Sequence, residues 1–306
     1  MRTAFIDQLI KEARKNDKIF LLVGDLGYNV IEPFANEFPN RFRNVGIAEQ
    51  NMAGVAAGLA MSGFNVYFYS IGNFPTLRCI EQIRNDIAYH HAKVKVVAVG
   101  GGYAYGDLGA THHATEALGM LRTIPGMVVC SPSDPIEARA LTTLSSTFDG
   151  PMYIQLGKAG EKLIHDKELS LSVGDILPYR VNNQKEAIIV NGSIAYSIVN
   201  SESANNKDIY TLPFVKPINK KQIASIANNY KVITIVEEHQ KSGGVGSAVI
   251  EQISDLFYEG QISTFPKIHR IAIEDYFQDV SGSQVYLRNR AGLFIGNNYS
   301  LSLNEK

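Results

Sequence analysis

Asn44-Val45-Gly46-Ile47-Ala48-Glu49-Gln50-Asn51-Met52-Ala53-Gly54 is the stretch that decides how the chain is read. One carboxylate, Glu49, opens a run built largely from alanine, glycine, valine, leucine and methionine. From Gln50 to Leu77 no residue carries a charge. A span of that length could cross a bilayer, but Asn51, Asn65, Asn73, Pro75 and several glycines interrupt it. The spacing instead predicts a helix over 51–62, buried nearly all round, followed by a buried strand over 65–69. A carboxylate at the first turn of such a helix either caps its amino end or does chemistry. Desolvation favours the protonated form of a carboxyl group, which can donate a hydrogen bond to a ring nitrogen.

On either side of this stretch the same alternation recurs. A helix is expected over 3–16, where Phe5, Ile6, Leu9, Ile10 and Ala13 share one face. The run Lys18 to Val23 (KIFLLV) reads as a strand covered on both faces and ends at Gly24-Asp25. Helices over 75–90 and 135–145 alternate with strands over 94–99, 127–130 and 152–156. Between Gly157 and Glu186 the pattern dissolves into a polar connector. It restarts with strands over 187–190, 209–212, 231–236 and 268–273 and helices over 219–228 and 245–257. The implied class is α/β, in two domains, each a mostly parallel sheet flanked by helices. The expected division is 1–165, a linker over 166–184, and 185–306, with a frayed tail over 300–306.

Composition narrows the field. The chain has 306 residues, 45% of them apolar and 19% charged, a globular balance that excludes general disorder. Lys+Arg 29 against Asp+Glu 30 leaves a net charge of -1, so neither nucleic acid nor an anionic membrane is an expected partner. Cys79 and Cys130 form no CxxC pair, which excludes a disulfide scaffold and fits a reducing compartment. The start turns acidic at Asp7, before a signal core could form. A soluble cytoplasmic protein without a membrane span is the expectation. No GxSxG elbow, HExxH, Walker loop or EF-hand loop occurs, and His90-His91 offers no metal spacing.

Two further segments can carry chemistry. The glycine-rich loop Gly100 to His113 follows a buried strand, where open α/β sheets place their substrates. Thr111 and His112 offer a hydroxyl and an imidazole there, with His113 expected at the surface. Val236-Glu237-Glu238-His239 followed by Gly243-Gly244-Val245-Gly246 carries a strand into a helix. Its glycines leave helix amides open to an anion, although tight packing alone also explains them.

Five segments in order resemble the C-terminal half of transketolase, in the form found as a separate subunit of split transketolases. They are GIAEQNMAGVAAGLA (46–60), EQIRNDIAY (81–89), GATHHATEAL (109–118), CSPSDPIEA (130–138) and VEEHQKSGGVGSAV (236–249). The resemblance covers most of the chain. Deoxyxylulose phosphate synthase, which shares the AEQ and TH motifs, is a close relative.

The resemblance implies a first domain that binds the aminopyrimidine of thiamine diphosphate and a second that is the transketolase C-terminal domain. The glutamate matching Glu49 would pass a proton to a pyrimidine ring nitrogen, and an aromatic would stack on that ring. Phe74 fits this role best and Tyr69 next. His112 matches the histidine that assists proton transfer at substrate hydroxyls, and Asp25 an acidic residue near the cofactor at the subunit interface. Lys158 stands where an arginine grips phosphate, a point charge without the bidentate fork. Gly100 replaces a second histidine of full-length relatives.

Mg2+ and the diphosphate would be held by a separate N-terminal subunit carrying GDG and a downstream Asn. Here Gly24-Asp25-Leu26, Gly106-Asp107-Leu108 and Gly174-Asp175-Ile176 all depart from GDG, and no metal ligand is expected on this chain. The implied assembly is a homodimeric core within a heterotetramer of two copies of each subunit. The implied reaction moves a two-carbon ketol unit from a ketose to an aldose, each a sugar or sugar phosphate. The departures at Gly100 and Lys158 point to a non-standard sugar in specialised carbohydrate biosynthesis. The alternatives are a decarboxylating enzyme of the deoxyxylulose phosphate synthase or 2-oxo acid dehydrogenase beta type, or a non-catalytic interaction subunit. Ala48 stands where the dehydrogenase subunit usually has cysteine, and the presence of Glu49 and His112 speaks against a non-catalytic role.

Overall fold

The computed structural model describes residues 1–296, so the expected fraying of 300–306 lies outside the described residues. In the first half the strands are β1 (Ile19–Val23), β2 (Phe42–Asn44), β3 (Asn65–Ile71), β4 (Val94–Val99), β5 (Val128–Cys130) and β6 (Met152–Leu156). The second half contributes β7 (Leu177–Arg180), β8 (Glu186–Val190), β9 (Asp208–Thr211), β10 (Phe214–Lys216), β11 (Val232–Gln240) and β12 (Lys267–Ile273). Helices α1 (Arg2–Lys15), α2 (Glu32–Glu37), α3 (Glu49–Met61), α4 (Ile80–Gln82), α5 (Ala117–Arg122) and α6 (Pro135–Thr147) flank the first sheet. Helices α7 (Ala195–Val199), α8 (Lys220–Asn229), α9 (Val245–Tyr258) and α10 (Gln284–Arg290) belong to the second half.

The first sheet runs β10-β5-β6-β4-β3-β1-β2 and is parallel except for β10. The second runs β12-β11-β8-β9-β7, with β7 antiparallel. This is the α/β class expected of the alternating pattern. Burial of β1 on both faces explains its unbroken apolar run. Phe20 and Leu22 face Met52, Ala53 and Ala56 of α3, whereas Ile19, Leu21 and Val23 face Phe5, Ile6 and Leu9 of α1.

Three features depart from the expected pattern. Helix α3 buries only one face, formed by Glu49, Met52, Ala53, Ala56 and Ala57, and exposes Gln50, Asn51, Gly54, Val55, Gly58 and Met61. Lack of charge therefore marks a bare face of this protomer, not a covered helix. The segment 75–90 is no single helix: a 3-10 turn (Leu77–Cys79) runs through α4 into a π-wound stretch over Ile83–Ala88. Wider winding at that point holds Ile83, Ile87 and Ala88 against the core. Finally, β10 leaves the second half and pairs with β5, Phe214 opposite Cys130, so the two sheets are stitched together.

A buried polar cluster reinforces the stitch. Asp134 caps α6, accepting from the amides of Ile136 and Glu137 at 2.9 and 2.8 Å through Oδ1 and from Ile164 and His165 at 3.0 Å through Oδ2. Glu137 accepts from the Thr211 hydroxyl of β9 at 2.5 Å. His165 of the connector lies between them, Nδ1 3.3 Å from Asp134 and Nε2 3.7 Å from Glu137. These are contacts of charge more than aligned hydrogen bonds. Burial acts to lower the His165 pKa, but the Asp134 carboxylate and the charge of Glu137, with Asp166 nearby, outweigh it and leave it raised.

A raised histidine pKa contributes stability that is fully present below its unfolded value of about 6.5 and is lost as pH rises through the folded value. His165→Gln should therefore lower the melting temperature clearly at pH 6 and much less at pH 9. Thermal melts of both proteins across that range check this, and a gap that does not change with pH would refute it.

Candidate active site

Glu49, Phe74, His112, Asp25 and Lys158 collect at the carboxyl edge of the first sheet, where a doubly wound sheet leaves a crevice. Strand β1 ends at Gly24-Asp25, β3 leads into Asn73-Phe74, β4 into the loop ending at His112, and β6 into Lys158. Parallel pairing brings these four ends side by side.

Glu49 is the centre of the group. Its carboxylate is 1% exposed, accepts from the Ser70 hydroxyl at 3.1 Å through Oε1, and meets Arg78 Nη1 at 2.8 Å through Oε2. Gly24 permits this closeness, since a Cβ there would stand 3.3 Å from Glu49 Oε1. Arg78 lies 4.9 Å over the centre of the Phe74 ring, and the His112 ring meets Phe74 edge-on at 5.5 Å. Asn73 fastens the two loops together, its amide donating to the carbonyls of Thr111 at 3.3 Å and His113 at 2.6 Å. The Thr111 hydroxyl lies 3.0 Å from His112 Nδ1.

Asp25 sits beside Gly24 in a left-handed backbone conformation, at φ 56°. The Asn44 amide donates to it at 2.9 Å, as does the Tyr28 hydroxyl, and these hydrogen bonds hold its pKa below the usual carboxylate range. Lys158 stands on the next strand over, its ammonium 3.8 Å from Asp107 of the His112 loop and 4.6 Å over the Tyr105 ring. Cys79 lies under Phe74, its thiol 3.3 Å from the Phe74 carbonyl. Burial, then the charge of Glu49, pushes that thiol up to about 12, so it is no nucleophile.

Tyr69, the second choice for the stacking aromatic, is not part of the group. Strand alternation sends Ser70 toward Glu49 and Tyr69 to the opposite face, where it stacks on Phe5 at 6.1 Å in the core. His113 is buried rather than at the surface, edge-on to Tyr103 at 5.0 Å, and burial lowers its pKa. The helix amides at 243–246 are already filled: Val245 and Gly246 donate to Glu237 at 2.5 and 2.8 Å. Burial pushes that carboxyl up to about 7.

Arg78, Ser70 and Asn73 escaped the sequence reading. Phe74 and Arg78 are four residues apart, the spacing that brings side chains together on a helical turn, but nothing local ties Arg78 to Glu49. Between the Phe74 ring and the Glu49 carboxylate the chain holds a flat, N–H-bearing guanidinium. An aromatic ring beside a buried carboxylate is a set of residues that fits the aminopyrimidine of thiamine diphosphate. Among the described residues no helix is long and apolar enough to cross a membrane.

Residues 1–160 match the family model described as transketolase, pyrimidine binding domain, and residues 200–285 that described as transketolase, C-terminal domain. The chain is 33% identical over 263 residues to one of the subunits of the apulose-4-phosphate transketolase of Phocaeicola vulgatus, covering 83% of each chain. It is 28% identical to the 6-deoxy-6-sulfo-D-fructose transketolase subunit of a Clostridium species, covering 96% of this chain and 90% of that one. Among solved structures, a split gene transketolase described as an inactive beta4 tetramer superposes with a TM-score of 0.84 at 29% identity, covering 95% of this chain and 93% of that one. Family models over both halves, and relatives of the same extent that are themselves separate subunits, make this chain a member of the transketolase family, the C-terminal subunit of a split transketolase.

Proposed function

We propose that this subunit supplies the aminopyrimidine half of a thiamine diphosphate site whose other half belongs to a partner chain. The observation that carries the reading is the unbroken line of contacts from Glu49 through Arg78 and Phe74 to His112 at the sheet edge. When bound, thiamine diphosphate supplies the carbanion chemistry that breaks and remakes the carbon–carbon bond. Glu49 holds the proton exchanged with a pyrimidine nitrogen, Phe74 provides the ring's shelf, and His112 moves a proton at a substrate hydroxyl. Asp25 lines the cofactor's edge of the site, and Lys158 steadies the far end of the substrate as a point charge.

The diphosphate and Mg2+ we assign to a separate N-terminal subunit with GDG and a downstream Asn, because none of the three Gly-Asp pairs here continues as GDG. The uncharged, exposed face of α3, flanked by exposed Ile47 and Leu77, supports docking between subunits beside Glu49. A homodimeric core within a heterotetramer is the assembly we propose. Residues 1–165 form the pyrimidine-binding unit, 166–184 the linker and 185–306 the C-terminal unit. Two buried, unpaired cysteines suit a reducing compartment, which we take to be the cytoplasm.

The substrate is a less common ketose. Gly100 in place of a histidine and Lys158 in place of an arginine alter the substrate end of the site, and the relatives' names include apulose-4-phosphate and sulfofructose transketolases. Reconstitution with the partner, Mg2+ and thiamine diphosphate, followed by a panel of ketose donors, tests this. Transfer should be fastest from a donor other than xylulose 5-phosphate. Clear preference for that sugar would remove the unusual-substrate part, and no ketol transfer from any donor would remove the transketolase reading.

A further inference from the structure

We infer that the Tyr105 ring positions Lys158 for an anionic end of the substrate, which makes Tyr105 a specificity-determining residue of the site. The inference rests on the substrate role proposed above for Lys158. It joins the two departures at the substrate end, Gly100 and Lys158, because both meet this one ring.

Gly100 directly follows β4, and its amide donates to the carbonyl of Leu156, the last residue of β6, at 2.8 Å. A Cβ at position 100 would stand 2.2 Å from Tyr105 Cε2 and 2.3 Å from Cδ2. At φ +91° that backbone also disfavours any side chain. Tyr105 therefore holds the space that a side chain at 100 would take. Lys158, just beyond β6, brings its ammonium 4.6 Å over the same ring.

The ring gives a mobile cation a fixed seat. Lys158 is 41% exposed on a flexible stem, whereas Tyr105 is 8% exposed. The Leu108 amide donates to the Tyr105 carbonyl at 3.0 Å, closing the 3-10 turn Gly106–Leu108. That turn sets Asp107 beside the same ammonium, at 3.8 Å. Burial raises the pKa of the phenol, so Lys158 meets a neutral aromatic. A cation over a ring at a partly exposed site gains an amount equivalent to about two- to five-fold in affinity.

The test compares kcat/KM for a ketose phosphate and for the same ketose without phosphate, in the two-subunit complex. Tyr105→Leu should lower the ratio of the two constants about two- to five-fold, and Tyr105→Phe should leave it unchanged. Tyr105→Met, a flexible filler of irregular gaps, replaces the leucine variant if that one does not fold. With Lys158→Met in place, Tyr105→Leu should lower the ratio no further. An equal fall for both donors would show a merely structural tyrosine. The same loss in Tyr105→Phe would show that the hydroxyl acts and not the ring, and turnover of uncharged ketoses alone would leave the ring no anion to serve; each result overturns the inference. Lys158→Met that keeps the wild-type ratio would instead remove the proposed role of Lys158, and the inference with it.

Discussion

Glu49→Gln in the two-subunit complex should lower kcat for ketol transfer by about 10²–10⁴-fold, the range for losing a positioned proton-transfer group. The substitution is nearly isosteric, and the new amide can still take the Ser70 hydroxyl through its oxygen. What it loses is the ability to hand a proton to a ring nitrogen. Fold and assembly should survive, because the carboxylate's other partner, Arg78, is nearly half exposed and can turn to water. Cofactor affinity should change far less than rate, since Phe74 keeps its place beside the site. Single-turnover rates at saturating cofactor, with a melting curve alongside, separate these effects. An unchanged rate would sink the catalytic assignment and leave a subunit that contributes only its fold.

How much of this site the sequence disclosed depended on whether a residue announced itself locally. Glu49 did, as the one charge before a long uncharged run, and so did the glycine-rich loop leading to His112. The sheet itself was legible because β1, β3, β4 and β6 are buried on both faces and therefore read as short apolar runs. Arg78 was hidden inside a segment that reads as an ordinary helix, where its partner lies twenty-nine residues away. The bare face of α3 was hidden for a different reason. An uncharged face reads the same whether it meets its own core or another chain, and only the packing of Met52, Ala53 and Ala56 on β1 shows which side is covered. Strand alternation puts Tyr69 on the face opposite Ser70, and Phe74 lies beyond the end of β3 at Ile71. Pairing of β10 with β5 had no local mark at all, since register between distant segments is a property of the whole sheet.

Glu238→Ala is expected to do the greatest damage to stability, about 3–5 kcal/mol, and to slow catalysis from a distance. Glu238 lies near the carboxyl end of β11, in the second half of the chain, yet its Oε1 accepts from the Tyr103 amide of the glycine-rich loop over 100–113 at 2.8 Å. Arg288 of α10 donates to Oε2 at 2.5 Å, and Gln284 Nε2 reaches both oxygens at 3.1 and 3.0 Å. Gly102, at φ +61°, lets the loop come this close, for a Cβ there would stand 2.5 Å from the Glu238 side chain. A second tie lies further along, where the Gly282 amide donates to the Gly106 carbonyl at 3.1 Å and Leu287 crowds Gly106. The C-terminal half therefore grips the beginning of the loop whose far end presents His112. Truncating the carboxylate leaves Arg288 mostly buried, with Ser193 at 2.8 Å to receive it among the described residues, the situation in which a broken ion pair costs most. Loosening the loop should also move His112 relative to Phe74 and Glu49, and a shift of about 1 Å at such a site can cost up to about 10²-fold in rate. Urea unfolding of the variant, with kcat measured well below its melting temperature, reads both consequences. A stability loss under about 1 kcal/mol would mean that the pair is replaceable by solvent. Unchanged kcat at full folding would mean that His112 is positioned by Asn73 alone.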